Sequence, residues 1–443
     1  MGLHRLIGLF LALMPLVAAG EDLLQVYRDA KGYDAQYAGA RYALIAGQER
    51  LPQGRAGLLP SLNLSASTTR TRIESESDDP AVVPDFTRDF RTDNLYTLTL
   101  SQPIYRRQNW LQLDQAGWQV KQAEAAFGQA EQDLVLRVTQ AYFDVLAAEN
   151  SLALVGAQKA AISEQLAQAK RNFEVGTTTI TDTHEAQARY DLVLAQEIAA
   201  KNDLDNKARA LEQLTGKEYA GLKGLRSGVE LGVPEPNDMQ AWAELAERQG
   251  FGVRIQEAAV QVAMLEAKRA SAGHHPTLDL VATRGLTSQT GSQLSGVGAD
   301  VTTSTLGLQL ALPLYQGGAV SSREREAAAS LEKARQDLEQ AKRTAALAAR
   351  QAYLASVSGL AQVKALEQAL VSSQSALESN QLGYQVGVRI NIDVLNAQQQ
   401  LYSTQRDLAL ARYNTITSQL RLRAAAGTLQ EQDLAQVNQA LGE

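Results

Sequence analysis

The sequence predicts an α+β membrane protein in which very long, antiparallel, coiled-coil-like helices join four β-strands. These strands must complete a transmembrane barrel with further copies of the chain. Three observations carry this prediction: the chain is written twice, Ala, Gln, Leu and Glu fill long uninterrupted stretches, and four segments alternate apolar with polar side chains. A chain of 443 residues would ordinarily suggest about two or three globular domains, but aromatics at 5% and only 10 prolines fit long packed helices better. The net charge of −7 comes without a basic block, which argues against a nucleic-acid partner. Cys is absent, and with it go disulfides, thiolate metal sites, a Cys nucleophile and the acylated Cys of a lipoprotein.

Residues 1–20 form one unit. His4 and Arg5 precede an apolar run from Leu6 to Leu16, and Ala18, Ala19 and Gly20 follow. That order predicts a secretory signal peptide, with the mature chain starting near Glu21. No other segment approaches ~18 consecutive apolar residues, so membrane contact falls to strands or to a helix surface.

The repeat is legible in five matches. Leu59-Pro60-Ser61-Leu62 corresponds to His275-Pro276-Thr277-Leu278, and Pro103-Ile104-Tyr105 to Pro313-Leu314-Tyr315. Gln140-Ala141-Tyr142 returns as Gln351-Ala352-Tyr353, Val175-Gly176 as Val386-Gly387, and Gly216 as Gly427, the last three each 211 residues apart. Residues 21–232 and 233–443 are therefore expected to be duplicated halves. Each holds a helical stretch (Asp22 to Gly57; Met239 to Gly273), two strands (about 60–76 and 93–105; about 275–289 and 302–316) and a long helical hairpin. The long helices, from Gln108 to Val175 and from Ala319 to Val386, would each reach about 100 Å. Val-Gly breaks each one, and Asp182 or Asp393 is expected as the N-cap of the return helix. In the second return helix Leu401, Thr404, Leu408, Ala411, Thr415, Ser418, Leu422 and Ala425 recur at steps of 3 and 4, a narrow, partly polar seam.

The strands decide the class. Leu62, Leu64 and Ala66 alternate with Asn63, Ser65 and Ser67, while Leu306, Leu308, Leu310 and Leu312 oppose Thr305, Gly307, Gln309 and Ala311. Leu278, Leu280 and Ala282 follow the same rule, and Tyr96, Leu98 and Leu100 a weaker form of it. Apolar-out and polar-in segments of about ten residues suit a tilted outer-membrane strand. Four strands cannot close, because small barrels begin near eight, and an open edge in lipid costs several kcal/mol per unpaired backbone group. Two copies would give eight strands and three would give twelve; alternation alone does not choose.

Over Glu21 to Leu441 the chain resembles the TolC family of outer-membrane efflux and secretion ducts. The most specific stretches are Tyr384-Gln-Val-Gly387-Val-Arg389-Ile-Asn-Ile-Asp393-Val-Leu, Ala411-Arg-Tyr-Asn414 and Gly427-Thr-Leu-Gln-Glu-Gln-Asp-Leu434. Ile180-Thr-Asp182, Asn202-Asp-Leu-Asp-Asn206 and Leu312-Pro-Leu-Tyr-Gln-Gly-Gly318 add to them. The resemblance implies a homotrimer whose twelve strands form one barrel in the outer membrane, with an α-helical barrel in the periplasm. A collar built from Lys217 to Asp238 and Thr428 to Glu443 would surround it. Implied partners are outer-membrane lipid, a periplasmic adaptor and an inner-membrane transporter of the RND, MFS or ABC class. The implied function is an exit duct for multidrug efflux and type I protein secretion, opened iris-fashion at its periplasmic helix ends.

The resemblance also assigns residues. Asp182 and Thr181 on one hairpin, with Tyr384 and Arg389 on the other, would form the gate. Arg389 and Tyr384 can both donate to the Asp182 carboxylate, through links worth about 0.2–1 kcal/mol each near water. Asp393 would face the axis as a pore-entrance cation site, and Asn396 stands where the family usually has a second Asp, which weakens any divalent-cation block. Gly176 and Gly387 would mark the adaptor-contacting hairpin tips.

Two rival classes make different predictions. An enzyme needs a motif the chain does not offer: there are four His, His274-His275 have no nearby carboxylate at ligand spacing, and no phosphate loop or nucleophile motif appears. No cofactor, structural metal or catalytic residue is therefore expected. A soluble periplasmic coiled-coil adaptor or structural protein would share the heptads and repeats. It would wash off in salt, whereas a barrel needs detergent, and it has no use for apolar-faced strands.

Overall fold

The computed structural model describes residues 20–76, 78, 86–226, 228–290 and 297–442. The expected signal peptide thus falls, but for Gly20, outside the described residues. The elements are α1 (Leu23–Tyr33), α2 (Ala35–Gln48), α3 (Arg50–Ala56), β1 (Ser61–Ser75), β2 (Phe86–Tyr105), α4 (Arg107–Glu174) and α5 (Ile180–Thr215). They continue as α6 (Met239–Gln249), α7 (Phe251–Ser271), β3 (Thr277–Gln289), β4 (Ala299–Ala311), α8 (Ala319–Gln385), α9 (Asn391–Ala425) and α10 (Glu431–Gln439). The chain divides into two compact units, each drawing on both halves of the sequence: Met1–Arg41, Phe127–Phe251 and Lys342–Glu443 form one, Tyr42–Ala126 and Gly252–Ala341 the other. No helix among the described residues is long and apolar enough to cross a membrane.

In the second unit the four strands form one antiparallel sheet in the order β1-β2-β3-β4, which leaves β1 and β4 as its edges. Register decides what the alternation means. Leu62 pairs with Leu100, Leu100 with Ala282 and Ala282 with Leu306, while Leu280 pairs with Leu308 and Leu278 with Leu310. Directly paired residues share a face, so the separate apolar sets merge into one largely apolar face across the sheet, interrupted by Gln102 opposite Leu280 and by the Arg284–Ser304 pair beside Leu98. Its reverse carries Asn63, Thr99, Thr283 and Thr305. The strands differ in extent from the expected ones. β2 starts at Phe86 rather than near 93, and β4 runs from 299 to 311, stopping before Pro313, which has no N–H for a ladder. At the end of the sheet, Arg106 Nε and Nη2 donate to the two carboxylate oxygens of buried Asp279 at 2.8 and 2.7 Å.

The first unit holds the main core. Leu23, Val26 and Tyr27 of α1 meet Leu134, Val138, Tyr142, Phe143 and Leu146 of α4, with Leu211 of α5 and Tyr413, Ile416 and Leu420 of α9. Leu429, Leu434 and Leu441 close it. The segment after α5 is stitched to both chain ends: Glu21 bridges Leu222, Leu225 bridges Leu441, and the Tyr142 hydroxyl donates to the carbonyls of Glu21 (3.1 Å) and Lys223 (2.7 Å). Burial pushes the Tyr142 hydroxyl pKa well above its usual value.

Two helical stretches expected as continuous are broken. α1 stops at Asp34, whose carboxylate accepts the Tyr37 N–H at 2.6 Å to start α2, and Gly250 separates α6 from α7. The seam on α9 is buried at Leu401, Thr404, Leu408, Ala411, Thr415 and Leu422, with Ser418 and Ala425 half-buried. Its small side chains allow close approach: a Cβ on Gly359 of α8 would stand 2.6 Å from the Thr415 hydroxyl.

Candidate functional site

The candidate site lies at the two hairpin turns, α4–α5 and α8–α9, both in the first unit. Each turn is a Schellman motif. Gly176 N–H donates to Phe173 O (3.0 Å) and Thr177 N–H to Asn172 O (2.9 Å); Gly387 N–H donates to Tyr384 O (3.1 Å) and Val388 N–H to Gly383 O (2.9 Å). Gly176 and Gly387 take φ of 77° and 80°, a conformation that penalises a Cβ. Nothing lies within 4 Å of a Cβ built at Gly387, so Gly387→Val meets backbone strain and no clash. It is expected to cost about 1–2 kcal/mol in local stability, checked by faster hydrogen exchange confined to the α8–α9 turn. Val175, Val386 and Val388 leave these turns apolar and exposed.

The helix starts differ from expectation. Neither Asp182 nor Asp393 is an N-cap: Thr179 caps α5 and Ile390 precedes α9, each aspartate standing three residues in. Both chains of carboxylate bonding follow from that position. Asp182 Oδ2 accepts the Thr179 N–H and hydroxyl, each at 3.1 Å, completing a capping box. Asp393 lies 3.8 Å from the Arg389 guanidinium, one turn back.

Within one chain the structure therefore joins Arg389 to Asp393, and Asp182 to Thr179. It does not bring Arg389 or Tyr384 onto Asp182. Thr181 is exposed, and Tyr384 is half-buried against the Leu377, Val394 and Leu401 cluster. Asn396 is engaged from an unexpected side: Arg189 of α5 donates through Nη2 to its Oδ1 at 2.9 Å and through Nη1 to Gln399 Oε1 at 2.7 Å. Among the described residues no cluster of three or more His, Cys, Asp or Glu is placed to hold a metal ion. Sequence reasoning missed Arg189, Gln399 and Gly383. The last of these leaves room for the Arg389 stem, since a Cβ there would stand 2.6 Å from Arg389 Cγ. The available signal was spacing: Arg189 stands seven residues after Asp182, on the same helix face, and Gln399 three after Asn396.

Long paired helices joined to a small sheet are the fold of outer-membrane efflux channels. The crystal structure of the outer membrane protein VceC from Vibrio cholerae superposes with a TM-score of 0.75 at 18% identity, covering 91% of this chain and 96% of that one. Residues 26–217 and 242–428 match the outer membrane efflux protein family. The outer membrane protein TolC of Vibrio cholerae is 35% identical over 95% of this chain and 94% of its own length. The alkaline protease secretion protein AprF of Pseudomonas aeruginosa is 34% identical over 97% of this chain and 89% of its own. The chain belongs to the outer membrane efflux protein family and is a TolC-type outer-membrane channel.

Proposed function

We propose that the chain is one subunit of a homotrimeric exit duct that carries efflux cargo and secreted protein across the outer membrane. The observation that carries this reading is the largely apolar face that spans all four strands of a sheet with two open edges. Such a sheet is stable in lipid only when β1 and β4 pair with further subunits, and three subunits give a twelve-stranded barrel. The matched order of elements supports a duplication that supplies two hairpins per subunit, which would line a helical duct in the periplasm. Membership of the outer membrane efflux protein family and the name of a relative, an alkaline protease secretion protein, support export of both efflux cargo and polypeptide.

The exposed hairpin turns at Gly176 and Gly387 would meet a periplasmic adaptor, which couples the duct to an inner-membrane RND, MFS or ABC transporter. Energy comes from that transporter, and the duct performs no catalysis. Asp182, Thr181, Tyr384 and Arg389 form the gate, with Arg389 and Tyr384 exchanging their present partners for Asp182 as subunits meet. Asp393 and Asn396 face the entrance. Purified protein in planar bilayers tests the reading: the parent conducts poorly, and Arg389→Ser combined with Tyr384→Phe raises conductance several-fold, each lost link being worth about 0.2–1 kcal/mol. Unchanged conductance in the double variant overturns the gate. Full extraction of the protein from membranes by salt alone overturns the duct.

A further inference from the structure

We propose that Arg189 is a positioning residue of the gate, a latch that holds α9 against α5 within each subunit. The proposal rests on the gate reading above and adds a residue to it. One guanidinium spans two helices, donating to the Asn396 and Gln399 amide oxygens, which stand one helical turn apart on α9. Around it, the only apolar tie between α9 and the α4–α5 hairpin near the turns, among the described residues, is a small cluster. It is formed by Ile162, Val193 and Leu395 with Tyr190 and Ile392.

Further along α9 packing is interrupted. Tyr402, Ser403 and Arg406 line a cleft of about 460 Å³ whose other wall is α4 and α5. Beyond the cleft, Tyr413 fastens α9 again, stacked on Phe143 at 5.1 Å and accepting from Asn150 Nδ2 at 2.7 Å. α9 is thus tied to the first hairpin at two places with open space between, and the Arg189 fork is the polar part of the tie nearer the turns.

The latch acceptors are neutral amides. They do not titrate, so the latch works at any physiological pH, unlike a carboxylate pair. A lysine replaces the fork only in part, because one ammonium does not reproduce the two-pronged geometry of a guanidinium.

Planar-bilayer recordings in about 1 M KCl, where exposed charge pairs are screened, test the latch. Arg189→Ala is expected to raise the open-time fraction several-fold, the worth of two solvent-exposed hydrogen bonds from one guanidinium. Arg189→Lys should recover part of the closed state. Asn396→Ala with Gln399→Ala should match Arg189→Ala and add nothing to it, a non-additivity that general loosening of the fold would not give. Arg189→Ala gating like the parent, or full additivity, overturns the latch. If Arg389→Ser with Tyr384→Phe opens the channel while Arg189→Ala does not, the latch falls and the gate stands; if neither opens it, both fall.

Discussion

Leu308→Arg is expected to remove most folded oligomer from the outer membrane, while Thr305→Arg in the same strand leaves it close to parental. Leu308 is 66% exposed in the single chain and sits on the apolar face opposite Leu280, between Leu306 and Leu310. A cation facing lipid near the membrane midplane costs about 2–4 kcal/mol, and in the proposed barrel every copy would bear that cost. Thr305 pairs with Thr283 on the reverse face, where a lumen would hydrate the new charge. Arg284 already places one cation on this face, toward the loop end of β3 and opposite Ser304, away from Leu308. Semi-native gels of outer-membrane fractions read the result. Equal losses in the two variants would mean that the apolar face does not meet lipid.

Much of this face was legible in the sequence, because a period of two forces Leu62, Leu64, Leu306, Leu308 and Leu310 onto one side whatever the partner strand. The register that merges the sets was not legible, since it depends on how four distant segments pair. Nor was the start of β2. Thr87-Arg88-Asp89-Phe90-Arg91-Thr92 carries no apolar alternation, so the period that marks a strand is missing even though the ladder to β1 continues there. The long helices were legible to within a residue at each end, and Val-Gly at 175–176 and 386–387 marks their far ends, where Gly176 and Gly387 take the left-handed turn. The breaks at Asp34 and Gly250 were not: local capping competes there with helix continuation, and both outcomes suit the same composition.

The candidate site was half legible. Motif resemblance selects Asp182, Tyr384, Arg389 and Asp393, but motif residues carry no information on which side chain each one meets in a single subunit. Aspartate near a helix start reads equally well as a cap or as the third residue of a capping box, and Thr179 and Ile390 decided that. Arg189 shares a face with Asp182, but its partners were not legible. Its partners, Asn396 and Gln399, lie about 210 residues away and are neutral, so no charge pattern links them.

Arg137→Ala is expected to destabilise the first unit by about 3–5 kcal/mol, the cost of leaving a buried charge without its partner. Arg137 donates to both oxygens of Asp34 at 2.8 and 3.0 Å and through Nε to Asp133 at 2.8 Å. The Asp34 side chain is only 7% exposed and also starts α2 through the Tyr37 N–H. Hydrogen bonding from Arg137 holds the Asp34 carboxyl below its usual pKa, against a burial effect that raises it. A carboxyl depressed on folding contributes stability that is present above its unfolded pKa, near ~3.9, and lost as pH falls through the folded value. Without Arg137 the burial effect is opposed only by the backbone N–H donors of Tyr37 and Gln36, so the variant accepts a proton more readily than the parent. The stability gap between them should be widest near neutrality and narrow below about pH 4, as measured by denaturant midpoints of the detergent-solubilised proteins. Asp34→Asn added to Arg137→Ala removes the stranded charge while keeping a capping side chain, and should recover part of the loss at neutral pH. A gap that stays constant from neutrality to well below about pH 4 would show that Arg137 acts through packing of its stem and not through the carboxylate.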